Sequence, residues 1–275
     1  MPKTWFITGT SSGFGRIMTE KLLARGDTVV GTVRKPDALS DLTTRYGDRL
    51  TSMIVDLTDI ASVRRAVDAA FAAGRIDVVV SNAGYGLFGS GEEVTDDQIR
   101  HQIDTNLIGS IQFIRATLPH LRTQGGGRIV QVSSEGGQIA YPNFSLYHAT
   151  KWGIEGFVES VSQEVAPFGI TFMLAEPGPS ATDFGKGIVS APVSETYENT
   201  PAGDVRRTIA SGDFKITGDP VKMAQAMIDA VDRDVMPKRL ALGSGTYTSI
   251  RMALEDRLAV LEAEKEITLS VDLDH

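Results

Sequence analysis

The chain has 275 residues, with 27 Lys plus Arg against 35 Asp plus Glu, a formal net charge of −8. Hydrophobic residues make up 41% and charged residues 23%, ordinary globular usage that excludes a disordered or low-complexity chain. The acidic balance argues against nucleic acid and anionic membranes as partners, and with no Cys there are no disulfides, thiolate zinc sites or cysteine nucleophiles.

Four His are scattered without metal-ligand spacing (101, 120, 148, 275), so no metal is expected. The chain does not open on a basic segment followed by an apolar stretch, and nowhere do 18 apolar residues run together. A cytoplasmic protein without a membrane segment is expected.

Short Val- and Ile-rich runs alternate with longer helical patterns. The first strand, Trp5–Thr8, leads through a glycine-rich turn into a helix over Gly15–Arg25. Strand Thr28–Val33 and helix Asp37–Tyr46 follow, then strand Leu50–Val55 and helix Ile60–Ala73. Strand Asp77–Ser81 precedes a long helix over Asp96–Thr123, whose end is marked by Pro119 and His120. Strand Arg128–Ser133 leads to helix Ser145–Ala166, and strand Ile170–Ala175 leads to an irregular stretch. Helix Val221–Asp232 and strand Arg239–Leu242 complete the alternation. Apolar runs without alternation suit strands buried on both faces. The pattern predicts an α/β fold, a doubly wound (Rossmann-like) parallel sheet of about seven strands with helices on both faces. No linker divides residues 1–275, which read as one domain.

Two segments fall outside the alternation. Residues Asp183–Gly218 hold scattered apolar side chains without a sustained period, and so long a loop is expected to be functional, here a substrate lid. Phe184, Ile188, Val189, Tyr197, Ile209 and Phe214 within it point to a hydrophobic substrate. Residues Thr246–Lys265 place Ile250, Leu254, Leu258 and Leu261 at helical spacing, as an amphipathic closing helix would.

The first turn, Thr8-Gly9-Thr10-Ser11-Ser12-Gly13-Phe14-Gly15, has glycines where a backbone must approach a pyrophosphate at a helix N-terminus. A carboxylate at the end of the second strand would accept hydrogen bonds from ribose hydroxyls. Val33 stands there instead, followed by Arg34 and Lys35, and Arg34 carries a fork suited to phosphate oxygens. This favours NADP over NAD. Tyr147 and Lys151 are four apart in a predicted helix and share a face. A nearby cation lowers a phenol pKa from its usual value near 10, which would make Tyr147 an acid/base group.

Together these residues resemble the short-chain dehydrogenase/reductase family, in its single-domain type. Gly9, Thr10, Ser11, Ser12, Gly13, Phe14 and Gly15 match its cofactor loop, and Asp56-Leu57 its adenine contact. Asn82-Ala83-Gly84 matches its Asn-Ala-Gly motif, and Pro177-Gly178 with Thr182 its nicotinamide carboxamide contact. The resemblance implies a catalytic set of Asn106, Ser134, Tyr147 and Lys151, with Ser133 an alternative to Ser134. It implies hydride transfer between a nicotinamide and a carbonyl or secondary alcohol. Ser134 would hold the substrate oxygen, and Tyr147 would give it a proton. Lys151 would bind ribose, and Asn106 would link Lys151 to solvent through a water on its backbone. A dinucleotide sensor, or an epimerase or dehydratase on the same fold, is the alternative. The family implies a homodimer or homotetramer, for which Phe157, Val161 and Val165 offer a stripe on the Tyr147 helix.

Overall fold

The computed structural model describes residues 2–182 and 184–273. Asp183, where the expected lid begins, lies outside the described residues, as do Met1, Asp274 and His275. The strands are β1 (Thr4–Ile7), β2 (Thr28–Val33), β3 (Leu50–Ile54), β4 (Val78–Ser81), β5 (Leu87–Phe88), β6 (Gly127–Val132), β7 (Ile170–Pro177), β8 (Val189–Ser190) and β9 (Arg239–Leu242). The α-helices are α1 (Gly13–Arg25), α2 (Ser40–Tyr46), α3 (Ile60–Ala73), α4 (Asp96–Ile103), α5 (Ser110–Thr123), α6 (Ser145–Val165), α7 (Pro201–Ala210), α8 (Pro220–Asp232), α9 (Ser244–Ala263) and α10 (Lys265–Leu269).

Seven strands form one sheet in the order β3-β2-β1-β4-β6-β7-β9, and every neighbouring pair is parallel. The chain runs outward from β1 through β2 to β3, then returns to β4 on the other side of β1. That reversal opens a crevice at the carboxyl ends of β1 and β4, where open α/β sheets bind ligands.

Successive side chains on a strand point to opposite faces, and each face has its own core. Trp5, Ile7, Val29, Val33, Val78 and Val80 pack with Met18, Leu22 and Leu23 of α1, Leu42 of α2 and Met227 of α8. Phe6, Val30, Val79 and Ile129 pack with Val67 of α3, Phe113 and Ile114 of α5, and Ile154 and Val158 of α6. The Phe6 and Phe113 rings meet edge to face with centroids 5.1 Å apart.

Five expectations are corrected. The long helix is broken by π-helical turns at Asp104–Gly109, where Gly109 lies against Leu57 so closely that a Cβ would stand 2.8 Å from its carbonyl oxygen. Pro119 does not end the helix, since α5 continues to Thr123; Arg115 and Pro119 are both exposed, so the carbonyl that Pro119 leaves without a donor can be hydrated. The lid is not irregular throughout, because it contains α7, with Thr200 capping the Ala202 N–H and Pro201 in the first turn. The C-terminal helix forms but does not close the core. Only Thr246 and Ile250 of α9 are buried, while Leu254, Leu258 and Leu261 are at least half exposed, so the apolar stripe beyond Ile250 does not pack into the core. Finally, Val161 and Val165 are buried in this chain's own second core, with the partly buried Phe157 packed against it, so the burial of this stripe does not require a second copy.

Phe113→Ala should destabilise the fold by about 3–5 kcal/mol, the usual cost of emptying a large core site, read as a lower urea midpoint with an unchanged slope.

Candidate active site

The loop after β1 is held by both neighbouring strands. The Thr10 N–H and hydroxyl both reach the Thr32 carbonyl, at 3.0 and 3.1 Å, and the Gly9 N–H reaches the Thr32 hydroxyl at 3.2 Å. Gly9 has φ +73°, a conformation that favours glycine. Gly15 has no room for a side chain, since a Cβ there would overlap the Gly9 carbonyl oxygen. Ser12 is the N-cap of α1 but its hydroxyl caps no N–H, so the first amides of α1 keep their capacity for an external acceptor. A glycine-rich loop that leads into a helix N-terminus with uncapped amides fits the pyrophosphate of a dinucleotide.

At the end of β2, Val33 is buried in the first core group and Arg34 is exposed. Asp56, after β3, accepts from the Thr58 N–H at 2.9 Å and hydroxyl at 2.8 Å. These bonds, with a smaller contribution from the Arg34 charge, hold its carboxyl below the usual range. Leu57 beside it is buried. Asn82 and Ala83 are tied to Thr8, and Gly84 lies next to Asn106.

Ser134 follows β6, and Tyr147 and Lys151 lie one turn apart near the start of α6. The structure brings all three together. The Ser134 side chain lies close enough to the Tyr147 phenol to act on its pKa, and its hydroxyl accepts from the Gly136 N–H at 3.1 Å. The Lys151 ammonium lies 5.6 Å from the Tyr147 ring centroid and donates to the Val132 carbonyl at 3.0 Å. Ser133 is engaged elsewhere, donating to Glu155 at 2.5 Å; of the two serines only Ser134 meets Tyr147.

The phenol differs from the sequence expectation. Burial pushes Tyr147 up to about 12, with the nearby Ser134 side chain opposing and the Glu135 charge adding to the rise. Burial also pushes Lys151 down to about 8, against the pull of Glu155. Burial disfavours both charged forms, and here it outweighs the cation. His148, next to Tyr147, is buried against the Tyr141 ring with centroids 4.4 Å apart, and burial pushes it down to about 4. It is a neutral packing group at pH 7.

Asn106 sits in the π-helical turns. Its side chain accepts from the Tyr85 N–H at 3.1 Å and donates to the Tyr85 carbonyl at 2.8 Å. Both side-chain functions are used in fixing the segment after Asn82-Ala83-Gly84. Pro177 ends β7; Gly178 packs under the Thr246 and Glu135 side chains. The Thr182 hydroxyl accepts from the Phe184 N–H at 3.3 Å.

Aromatic rings cover the phenol side. Phe184 from the lid lies 5.8 Å from Tyr147, and Phe144 lies 6.1 Å from it, between centroids. Tyr141 and Phe88 both meet Phe144 edge-on. Gly86 leaves space that Phe184 and Ile188 fill, whereas Val189, Ile209 and Phe214 are exposed and Tyr197 bonds Glu92 at 2.5 Å.

Sequence reasoning missed the residue that pins the lid. Glu93 accepts from the Ser90 N–H at 2.9 Å and the Ser194 N–H at 2.7 Å, and its carboxylate pairs with Arg206 of α7. The Asn143 amide donates to the Ala202 carbonyl at 2.8 Å. An isolated Glu in a polar stretch gives no periodic signal, so nothing in the sequence distinguished Glu93.

Residues 3–192 match the family model described as short chain dehydrogenase, a span that holds all the residues above from the Gly-rich loop to Thr182. Oxidoreductase BOA17 of Botryotinia fuckeliana is 36% identical over 98% of this chain and 99% of its own length. A 3-ketodihydrosphingosine reductase of Bacteroides thetaiotaomicron is 38% identical over 66% of each chain. The crystal structure of a short-chain dehydrogenase from Streptomyces avermitilis superposes with a TM-score of 0.91, at 37% identity and 98% coverage of both chains.

Burial alone would raise Glu93, yet the Ser194 and Ser90 amides and Arg206 hold it at about 2, against 4.5 for a free carboxylate. A depressed carboxylate stabilises the fold above its unfolded pKa and loses that contribution as pH falls through the folded one. Glu93→Gln should therefore speed limited proteolysis within 184–218 at pH 7, and the excess over wild type should shrink as pH falls from 4.5 towards 2.

Proposed function

Because this chain belongs to the short-chain dehydrogenase/reductase family of oxidoreductases, we propose that it is a dehydrogenase/reductase that uses NADP in preference to NAD. Its substrate is a hydrophobic carbonyl compound or the matching secondary alcohol. The observation that carries this reading is the buried Ser134–Tyr147–Lys151 cluster, at the same sheet edge as the glycine loop.

The loop Gly9–Gly15 would hold the pyrophosphate, with Asp56 and Leu57 at the adenine and Arg34 at a 2′-phosphate. Asn82, Ala83 and Gly84 would line the next wall. Lys151 and Tyr147 would bind the nicotinamide ribose, and Pro177, Gly178 and Thr182 the carboxamide. When bound, the nicotinamide supplies the hydride for carbonyl reduction or accepts it in alcohol oxidation.

In the reductive direction Ser134 donates a hydrogen bond to the carbonyl oxygen and fixes it beside the phenol. Tyr147, held near 12, carries its proton throughout the neutral range and releases it only to an oxygen that is becoming an alkoxide. That is the requirement on a general acid. The Lys151 ammonium stabilises the phenolate left behind. Lys151 then returns a proton to the phenolate and would regain its own from solvent through a water on the Asn106 main chain, in a π-helical segment of the kind often found at functional sites. The aromatic cover over Tyr147 excludes water and suits an apolar substrate.

Tyr147→Phe should lower carbonyl reduction by at least about a hundredfold, the usual worth of a general acid, while NADPH binding is retained. Near-normal turnover would place the proton donor elsewhere. Removal of a charge-assisted contact costs roughly 1.5–3 kcal/mol, so Arg34→Ala should weaken NADPH about ten- to a hundredfold and leave NADH nearly unchanged. An unmodified enzyme that turned over NADH better than NADPH would overturn the NADP assignment and leave the hydride-transfer reading intact.

A further inference from the structure

Beneath the catalytic helix lies a buried ionic cluster that the proposed reaction does not use. Glu155 stands one helical turn after Lys151, on the same face of α6. Its carboxylate accepts from the Ser133 hydroxyl at 2.5 Å and from Arg239 of β9 at 2.6 Å. Arg239 also donates to Glu159 at 2.6 Å and pairs with Glu176 of β7. Glu176 in turn accepts from the Gln138 amide at 2.6 Å. Glu155 and Glu176 are 3% and 1% exposed, and a charge so placed is tolerable only with partners.

The charges do not balance within the cluster. One guanidinium faces three carboxylates, and Lys151 is the next cation along the helix. The loop after Ser134 is shaped around this carboxylate, since a Cβ at Gly137 would overlap the Glu155 Oε1. Ser133 is the direct covalent neighbour of Ser134, the serine that acts on Tyr147.

We propose that Glu155 is a positioning residue for the active site: it is the buried counter-charge that keeps the Lys151 ammonium protonated, and through Ser133 it anchors the strand end that presents Ser134. The proposal rests on the assignment of Lys151 to the site above. Lys151 meets the Tyr147 ring and the Val132 carbonyl at the end of β6, and Glu155, one turn further along its helix, acts on it by its charge. Glu176 and Arg239, from β7 and β9, are joined to it through Glu155, and Glu135 acts on Tyr147. Burial lowers Lys151, and Glu155 is the charge that opposes the fall.

The test follows the lysine itself in ligand-free protein, by NMR titration of 13C-labelled lysine side chains, with Lys151 assigned from the signal lost in Lys151→Met. In wild type the midpoint should lie near 8. Glu155→Gln keeps the shape and removes the charge, and should lower the midpoint by about one unit, within the range for an opposite charge at close quarters. The alkaline limb of carbonyl reduction should move down with it. Glu159→Gln, which loses a contact of Arg239 on the exposed side, should leave both in place. Ser133→Ala keeps the carboxylate charge, so its midpoint should stay or rise. A folded Glu155→Gln protein with an unchanged midpoint would overturn the proposal, as would an equal shift in Glu159→Gln or a fall in Ser133→Ala. A lowered midpoint with an unmoved rate limb would uphold the role of Glu155 and remove Lys151 from the rate-limiting chemistry.

Discussion

One cross-tie holds the two halves of the sheet in register where the chain reverses direction. The Asn82 side-chain amide donates to the Thr8 and Gly9 carbonyls at 2.9 and 3.3 Å. The Thr8 hydroxyl accepts from the Asn82 and Ala83 N–H groups at 2.9 and 3.0 Å. These bonds extend the joining of β1 and β4 past the last backbone bond between them, from the Thr8 N–H to the Val80 carbonyl. The glycine loop takes its path from this tie, and α1 takes its direction from the loop. The Tyr85 segment starts from it and is then fixed by Asn106. A buried backbone carbonyl without a partner is costly, so the amide is a structural requirement whatever the crevice binds.

Burial decides the electrostatics of the proposed catalytic groups. A phenol and an ammonium at helical spacing suggest mutual stabilisation as phenolate and cation, and solvent exclusion reverses that expectation. Tyr147 is held as the neutral acid and Lys151 is brought within reach of neutrality at mildly alkaline pH. A poised acid and a poised cation result from the same dry surroundings. The surplus of carboxylates around Arg239 then becomes intelligible as the opposing influence, because an ammonium in a dry site needs a fixed negative neighbour.

The sheet was legible in the sequence because its signal is local. Runs such as Val78-Val79-Val80 have no other comfortable location than between two helical layers, and β2, α3 and β9 lie at the residues their patterns indicate. The glycine loop, Ser134, Tyr147 and Lys151 were legible because their types and spacings carry chemistry. What was hidden depends on contacts distant in sequence. The π-helical turns at Asp104–Gly109 lie where Gly109 packs against Leu57, a contact that no helical periodicity reports. Helix α7 has at least as many apolar as polar side chains and carries Gly203 in its first turn, so its clearest local signal was Thr200-Pro201. The leucines of α9 repeat at helical spacing, yet spacing says nothing about whether a layer lies opposite them. Glu155 and Glu93 read as surface charges until the partners 22 and 113 positions away are placed beside them.

The lid has an unusual mechanical property. One carboxylate, Glu93, receives the Ser194 amide from one lid segment and the Arg206 guanidinium from another. The short β8 strand is joined to β5 by the same approach of the lid to the body. Two segments that share an anchor cannot leave it independently, because release of either strips a buried charge of part of its solvation substitute and weakens the hold on the other. The two segments are thereby coupled: the 188–194 stretch and α7 should exchange between bound and released positions with a single rate constant, as one body and not as two flaps.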